Sequence, residues 1–273
     1  MTPGDEVIRS LAALRERAAQ LSTRRVVVAS ATGAETLKAA VLARAGQFAD
    51  PILVGPPADI RKGLAALDAD PGWFEIVPAG DSREAAALSV ALVRNGTADI
   101  LLKGAISTSS LMRAVLAPER GLRSDSLLSD VFLFDFGAGP EPRIVGITDG
   151  GVIPRPTLDQ KEQILLNAVR AFHALGIRQP KVALLAAVET VTAAFPSTGE
   201  AAELAVRCRD ADLTDFLADG PLAVDLALSA EAAALKGYES PVAGAADVLL
   251  FPDLESANMA AKSVEYVASL EPA

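Results

Sequence analysis

The segment Lys103-Gly104-Ala105-Ile106-Ser107-Thr108 brings together the groups that hold an anion: a cation, a glycine and two hydroxyls. It follows the apolar run Asp99-Ile100-Leu101-Leu102-Lys103, which reads as a strand, and opens a helical stretch over 107–116. In an open α/β sheet, ligands collect at the carboxyl ends of strands. A helix N-terminus there offers free N–H groups and positive potential. Lys103 adds charge, Ser107 and Thr108 add hydrogen-bond donors, and Gly104 lets an oxyanion approach the backbone. The chemistry implied is the holding of a phosphate. The same residues also suit an ordinary βα turn with a solvated lysine and a Ser/Thr cap, and spacing alone leaves both readings open. The GxxxxGK[ST] spacing of a P-loop is absent.

Other chemistry-bearing residues are more ambiguous. Asp219-Gly220-Pro221 has the composition of a turn, yet Asp219 also ends an expected strand. Asp149-Gly150-Gly151 is similarly placed and reads first as a turn. Glu189 and Asp225 are carboxylates at helix ends or facing a ligand, and the sequence does not choose between these. His173, beside Phe172 in a helical stretch, reads as a packing or surface residue. Asp210 and Asp212 sit near a helix end with no further ligands around them, so no metal site is expected. Cys208 is the single cysteine and has no local histidine. It is expected to be idle, it excludes an intramolecular disulfide, and it fits a reducing compartment.

These residues are positioned by alternating strands and helices. Strands are expected at 26–29, 51–55, 74–77, 99–103, 181–186, 215–218 and 247–251. Helices are expected at 36–48, 58–67, 82–94, 107–116, 158–175, 199–209, 224–236 and 257–269. Continuous apolar strands suit a sheet covered on both faces, and the alternation implies parallel βαβ units. Two extended runs, 127–136 and 143–148, leave little room for a helix between them and are expected to pair antiparallel. Thr157 and Gln160 have capping-box spacing, and Gly176 stands where a C-terminal cap belongs. The fold class is therefore α/β. A domain change is placed near 137–142, giving a first α/β domain of 1–138 plus 256–273 and a second of 139–255.

The 273 residues, 51% of them hydrophobic and 4% aromatic, allow a large core built from small side chains. A formal net charge of −10 argues against a broad nucleic-acid surface, though not against a local anion pocket. Residues 1–21 are charged and helix-like, without the apolar core of a signal peptide. No apolar run approaches the roughly 20 residues that span a bilayer. A cytoplasmic protein without a membrane partner is the expectation.

Several segments together carry a family resemblance. Leu102 to Thr108, with Leu111-Met112-Arg113-Ala114-Val115-Leu116, resembles the phosphate acetyltransferase/phosphate butyryltransferase family. Gly121-Leu122-Arg123 with Leu128-Ser129 is similar to its next motif. Thr148-Asp149, Pro156-Thr157-Leu158 and Lys161 follow, then Lys181-Val182-Ala183-Leu184-Leu185-Ala186-Ala187-Val188-Glu189. Asp219-Gly220-Pro221-Leu222-Ala223-Val224-Asp225, the run from Pro241 to Asp253, and Asn258 complete the match. These cover most of the chain in order, nearer the butyryl branch.

The resemblance implies two α/β/α domains of the isocitrate-dehydrogenase-like kind with an inter-domain cleft. It implies acyl transfer between coenzyme A and inorganic phosphate, with acyl-CoA and phosphate as substrates. A homodimer, no bound organic cofactor and no metal are also implied. Substrate-binding residues would be Lys103, Gly104, Ser107, Thr108, Arg123, Asp149, Asp225 and Asn258, with Ser129 and Asp219 as candidates for catalysis. A dehydrogenase is the weaker analogy: after the first strand the chain reads Ala31-Thr32-Gly33-Ala34, without GxGxxG.

The chain departs from the family pattern in two places. Ser126 and Asp130 stand where the family often has an arginine and a histidine, and an acidic group near a phosphate would repel it. Family members also continue beyond the helix containing Asn258 and Lys262 into a Ser-Arg-Ala-Asp-Ser segment. The resemblance assigns to that segment a phosphate-binding arginine, an oxyanion donor and the base for the thiol. The alternative expectation is accordingly an impaired relative that binds CoA or a phosphorylated metabolite without turnover.

Overall fold

A computed structural model describes residues 7–124, 126–136, 142–211 and 214–270. It divides the chain into two compact units, one of Arg15–Asp125 and one of Met1–Leu14 with Ser126–Ala273. The first helix, α1 (Leu11–Ala19), runs across that division point.

The Arg15–Asp125 unit holds β1 (Arg24–Ala29), α2 (Ala34–Ala45), β2 (Ala49–Gly55), α3 (Pro57–Ala65), β3 (Glu75–Pro78), α4 (Ser82–Arg94), β4 (Ile100–Lys103) and α5 (Thr108–Val115). Its sheet is parallel, in the order β3-β2-β1-β4. Successive strand residues point to opposite faces. Val28 and Leu53 therefore pack on Leu37, Ile60 and Leu64, while Val27, Ile52 and Val54 pack on Ala85. Two covered faces explain the uninterrupted apolar strands. The chain builds outward from β1 to β3, then α4 carries it back to β4 on the other side of β1. The carboxyl ends of β1 and β4 thus form a topological switch point, the usual ligand position in such sheets.

The second unit holds β5 (Phe132–Asp135), β6 (Ile144–Thr148), α6 (Leu158–Ala174), β7 (Lys181–Leu185), α7 (Pro196–Asp210), β8 (Leu217–Leu222), α8 (Val224–Leu228), α9 (Ala230–Leu235), β9 (Val248–Leu250) and α10 (Leu254–Val267). The sheet order is β5-β6-β9-β7-β8; β5 is antiparallel to β6, as expected, and the other pairings are parallel. Ile144, Val182, Leu184 and Leu250 face Leu165, Phe172 and Leu204 of α6 and α7. Val145, Ile147 and Leu249 face Leu226, Ala233, Ala257 and Ala261 of α8, α9 and α10. The Thr157/Gln160 capping box forms, and Gly176 takes φ 84°, the left-handed conformation of a helix stop.

Four expectations change. The division falls at 125/126 rather than 138, because β5 is held in the second sheet by β6. The last helix belongs to the second unit, not the first, since Ala257 and Ala261 are buried against Val145 and Ile147. The expected 137–142 change point lies mostly outside the described residues. The helix expected over 224–236 is two helices: Ser229 has extended backbone, ends α8, and accepts from the Ala232 N–H at 3.1 Å to start α9. Finally, β8 runs through Asp219-Gly220-Pro221 instead of ending before it. Pro221 is tolerated because β8 is an edge strand and the β7 register shifts between Ala183 and Leu185.

Candidate functional site

At the switch point, the chain leaving β4 is pressed against the end of β1. The Gly104 N–H donates to the Ala29 carbonyl at 2.9 Å and the Ala105 N–H to the Ser30 carbonyl at 2.8 Å. A Cβ on Gly104 would lie 2.4 Å from the Ser30 carbonyl oxygen, so only glycine fits this approach. The next turn folds over the lysine. Lys103 Nζ donates to the Ile106 carbonyl at 3.1 Å and lies 3.5 Å from that of Gly104. No carboxylate pairs with it among the described residues, and its side chain is exposed.

Ser107 is the N-cap of α5. Its Oγ accepts from the Ser110 N–H at 3.2 Å and donates to Ser110 Oγ at 2.8 Å. The bland role of this serine is therefore real, while Thr108 remains exposed in the first turn. The Ser30-Ala31-Thr32-Gly33 turn after β1 adjoins the same place. Ser30 Oγ reaches the Ala105 carbonyl at 3.3 Å, and α2 starts at Gly33 without a side-chain cap. Sequence reading passed over this turn because it lacks a dinucleotide fingerprint; the signal lay in β1 being an inner strand next to β4. Arg123 lies in an exposed stretch and is not hydrogen-bonded to the turn. Residues of α4 and α5 line a groove of about 790 Å³, with Arg83, Arg94, Arg113 and Arg120 in its lining.

In the second unit, Asp149 follows β6 and is buried. Its Oδ1 accepts from the N–H groups of Gly151 (3.1 Å), Val152 (3.0 Å) and Asp130 (3.4 Å), and its Oδ2 from that of Ile153 (2.9 Å). Asp149 is thus the organiser of its turn, as the turn reading has it. Asn258 joins it there: its side-chain amide donates to the Gly150 carbonyl at 3.0 Å. Ser129 is near, but its Oγ accepts from Asn167 at 2.9 Å.

Between them lies Asp130, which the sequence marks only as a departure from a pattern. Asp130 Oδ1 accepts from the Gly150 N–H at 2.7 Å, and its carbonyl accepts from the Thr148 hydroxyl at 2.5 Å. Burial, then a side-chain hydrogen bond to Asp149 and that group's charge, push the Asp130 carboxyl up to about 7; N–H groups of Gly150 and Gly151 act the other way. Its Oδ2 lies 2.3 Å from where a Gly151 Cβ would be, so the Asp-Gly-Gly run makes room for this second carboxyl.

Asp219 and Asp225 belong to a different group. Asp225 and Glu189 flank Lys236 at 3.5 and 3.6 Å. Burial raises the Tyr238 hydroxyl, with Asp219 and Glu189 adding to the effect. Lys161 is buried and paired with Glu200 at 2.5 Å. His173 Nε2 is 3.0 Å from the Asp215 carbonyl, in keeping with a surface role. Asp212 lies outside the described residues, and no group that could hold a metal is found among those described.

An open parallel sheet with a cationic, glycine-bearing turn at its switch point places this protein in the α/β class. The comparisons say which family this is. The sequence profile described as phosphate acetyl/butaryl transferase matches residues 80–272, and the chain belongs to that family. It is 43% identical to a phosphate acetyltransferase of Rhizobium meliloti over 217 residues, 80% of this chain and 68% of the relative. It is 40% identical to a probable phosphate butyryltransferase of Bacillus subtilis (strain 168), over 89% of this chain and 80% of the relative. The structure resembles a branched-chain phosphotransacylase from Enterococcus faecalis V583, with TM-score 0.80 and 29% identity, covering 92% of this chain and 87% of that one. These relatives are transferases by name and give no support to the alternative of a binder without turnover.

Proposed function

We propose that this protein moves a short acyl group between coenzyme A and inorganic phosphate: acyl-CoA plus phosphate gives acyl phosphate plus CoA. The observation that carries the reading is the Lys103–Ser107 turn at the switch point, in a chain of this family. A phosphate oxygen attacks the thioester carbonyl, a tetrahedral intermediate forms, and the thiolate leaves. Lys103 Nζ exchanges its carbonyl partners for the phosphate, where a charge-assisted bond is stronger. The Thr108 hydroxyl and the free N–H groups opening α2 and α5 serve as further donors. Gly104 keeps the backbone close enough for this, and Ser107 fixes the helix start. The arginine-lined groove suits the phosphates of CoA, and Arg123 serves them from its exposed position.

On the second unit, Asp149 and Asn258 shape the turn after β6, while Ser129, Asp219 and Asp225 stand as candidate contacts. The isocitrate-dehydrogenase-like description, a homodimer and a cytoplasmic location belong to this reading. Among the described residues no helix is long and apolar enough to cross a membrane. The reaction needs no metal or organic cofactor, CoA being a substrate.

The test is phosphate-dependent release of CoA from acetyl-, butyryl- and branched-chain acyl-CoA. Wild-type protein is expected to release CoA only when phosphate is present. Lys103→Ala should lose about 10- to 100-fold in kcat/KM, the value of one hydrogen bond to a charged group. Absence of release with every acyl chain overturns the proposal.

A further inference from the structure

Helix α10 turns one face into the second sheet and leaves the other bare. Ala257 and Ala261 are buried against Val145 and Ile147. The opposite face of such a helix is ordinarily charged and polar. Here it carries Met259, Tyr266 and Val267, which are 63%, 75% and 83% exposed. At 3.6 residues per turn, Met259 and Tyr266 stand in one line about two turns apart, with the small Ser263 between them and Val267 alongside. No other helix among the described residues exposes more than one large apolar side chain. A contiguous apolar stripe of this kind marks a contact surface.

Two opposite charges lie on one flank of the stripe. Glu255 and Lys262 are again about two turns apart on the same side of Met259. Lys262 Nζ pairs with Glu265 at 2.7 Å and stands 5.6 Å from the centre of the Tyr266 ring. Glu255 is exposed and has no ion-pair partner among the described residues.

A helix with an apolar centre and opposite charges at the two ends of one flank complements itself. A two-fold axis beside Met259 brings up a second copy running antiparallel. Met259 then packs on the partner's Met259, and each Glu255 faces the partner's Lys262. The contact recurs on both sides of the axis, which is the isologous pattern of two-fold dimers. Tyr266 and Val267 carry the apolar contact outward from the axis. Methionine adapts its shape to a facing copy, and tyrosine is enriched at the centre of interfaces. The reciprocal charges select a second copy of this chain over an unrelated partner, because only the same helix turned over supplies both signs in the right order.

We propose that the exposed face of α10 is the surface through which two copies of this chain form an antiparallel, two-fold homodimer. The homodimer itself rests on the reading in the preceding subsection; its face is read from α10 alone, and no catalytic step enters.

The test is sedimentation equilibrium of the full chain, with the fold of each variant checked by its urea midpoint. Wild-type protein is expected to be dimeric at micromolar concentration. Met259→Glu should raise the dimer Kd roughly 100-fold or more, because one substitution acts on both halves of the contact. Glu255→Lys and Lys262→Glu should each raise it about 10-fold by setting like charges together, twice per dimer. The double variant Glu255→Lys/Lys262→Glu should return to the wild-type Kd, a recovery that two unrelated surface positions do not give. Met259→Cys should form a covalent dimer under mild oxidation, while Leu235→Cys, 82% exposed on α9, should not; the native Cys208 is buried and does not compete. A wild-type dimer that Met259→Glu leaves intact, a double variant no tighter than the single ones, or no cross-link through Met259→Cys overturns this face and leaves the homodimer standing. A wild-type monomer overturns the homodimer and its face together. Phosphate-dependent release of CoA, measured separately, decides the transferase reading in either case.

Discussion

The carboxyl end of β4 and the carboxyl end of β6 are built from the same strand-to-loop geometry and hold opposite chemistry. After β4 the groups on offer are donors: an ammonium with no carboxylate partner among the described residues, an exposed hydroxyl and helix N–H groups. After β6 the N–H groups of Gly151, Val152 and Ile153 are taken by Asp149 and that of Gly150 by Asp130, whose carboxyl burial and the neighbouring Asp149 push up to about 7. The first edge suits an anion and the second suits a proton. Glycines serve both, by admitting a backbone carbonyl in one case and a carboxyl in the other.

The contrast can be broken at either edge. Gly104→Val should have the largest effect. Its side chain would meet the Ala29 and Ser30 carbonyls, within 2.6 Å and 2.4 Å of Cβ, and backbone atoms give way less easily than side chains. We expect a loss of about 3 kcal/mol or more, read as a lowered urea midpoint, along with loss of phosphate dependence. A variant with the wild-type midpoint would show that the turn is not pressed on β1.

Asp149→Ala should come next. It strips the acceptors from Gly151, Val152 and Ile153, and should cost about 2–3 kcal/mol in thermal or urea unfolding. The Asp130 carboxyl should fall toward its ordinary value, seen by titrating its carbon-13 resonance. An unchanged resonance would mean that burial alone sets it.

The smallest effect is a pH slope. Asp130 holds its proton to about 7 in the folded chain and to about 3.8 when unfolded. Between those values the folded state binds more protons, so this group's contribution makes stability fall as pH rises from about 4 to about 7. Asp130→Asn should flatten that part of the stability profile. An identical slope in the variant would assign it to another group, such as Asp247, whose carboxyl burial also raises.

How much of this the sequence carries depends on the range of the interactions. Helix α4 spans 82–94 as read, since Asp81 caps it through Glu84 and its apolar spacing is local. The capping box at Thr157 was equally readable. The break at Ser229 was not, because Ala, Leu and Glu on either side favour a continuous helix and only tertiary packing interrupts it. The extension of β8 through a proline depends on its being an edge strand, which is a property of the sheet. The boundary at 125/126 depends on pairing between β5 and β6. At the site, Lys103 to Thr108 was legible because one turn contains it. Asp130 and Asp149 are nineteen positions apart along the chain, so neither residue announces the other.

The burial of Cys208 bears on how all of this is measured. It is the chain's single cysteine, 6% exposed on α7, and burial, then the Glu162 charge, push its thiol up to about 11 against the pull of Arg209. A disulfide reagent that colours on meeting a thiolate will therefore report the CoA released and not the protein itself. Turnover can be followed continuously at high enzyme concentration with a flat blank, and the weak rates of the variants stay within reach of an ordinary spectrophotometer.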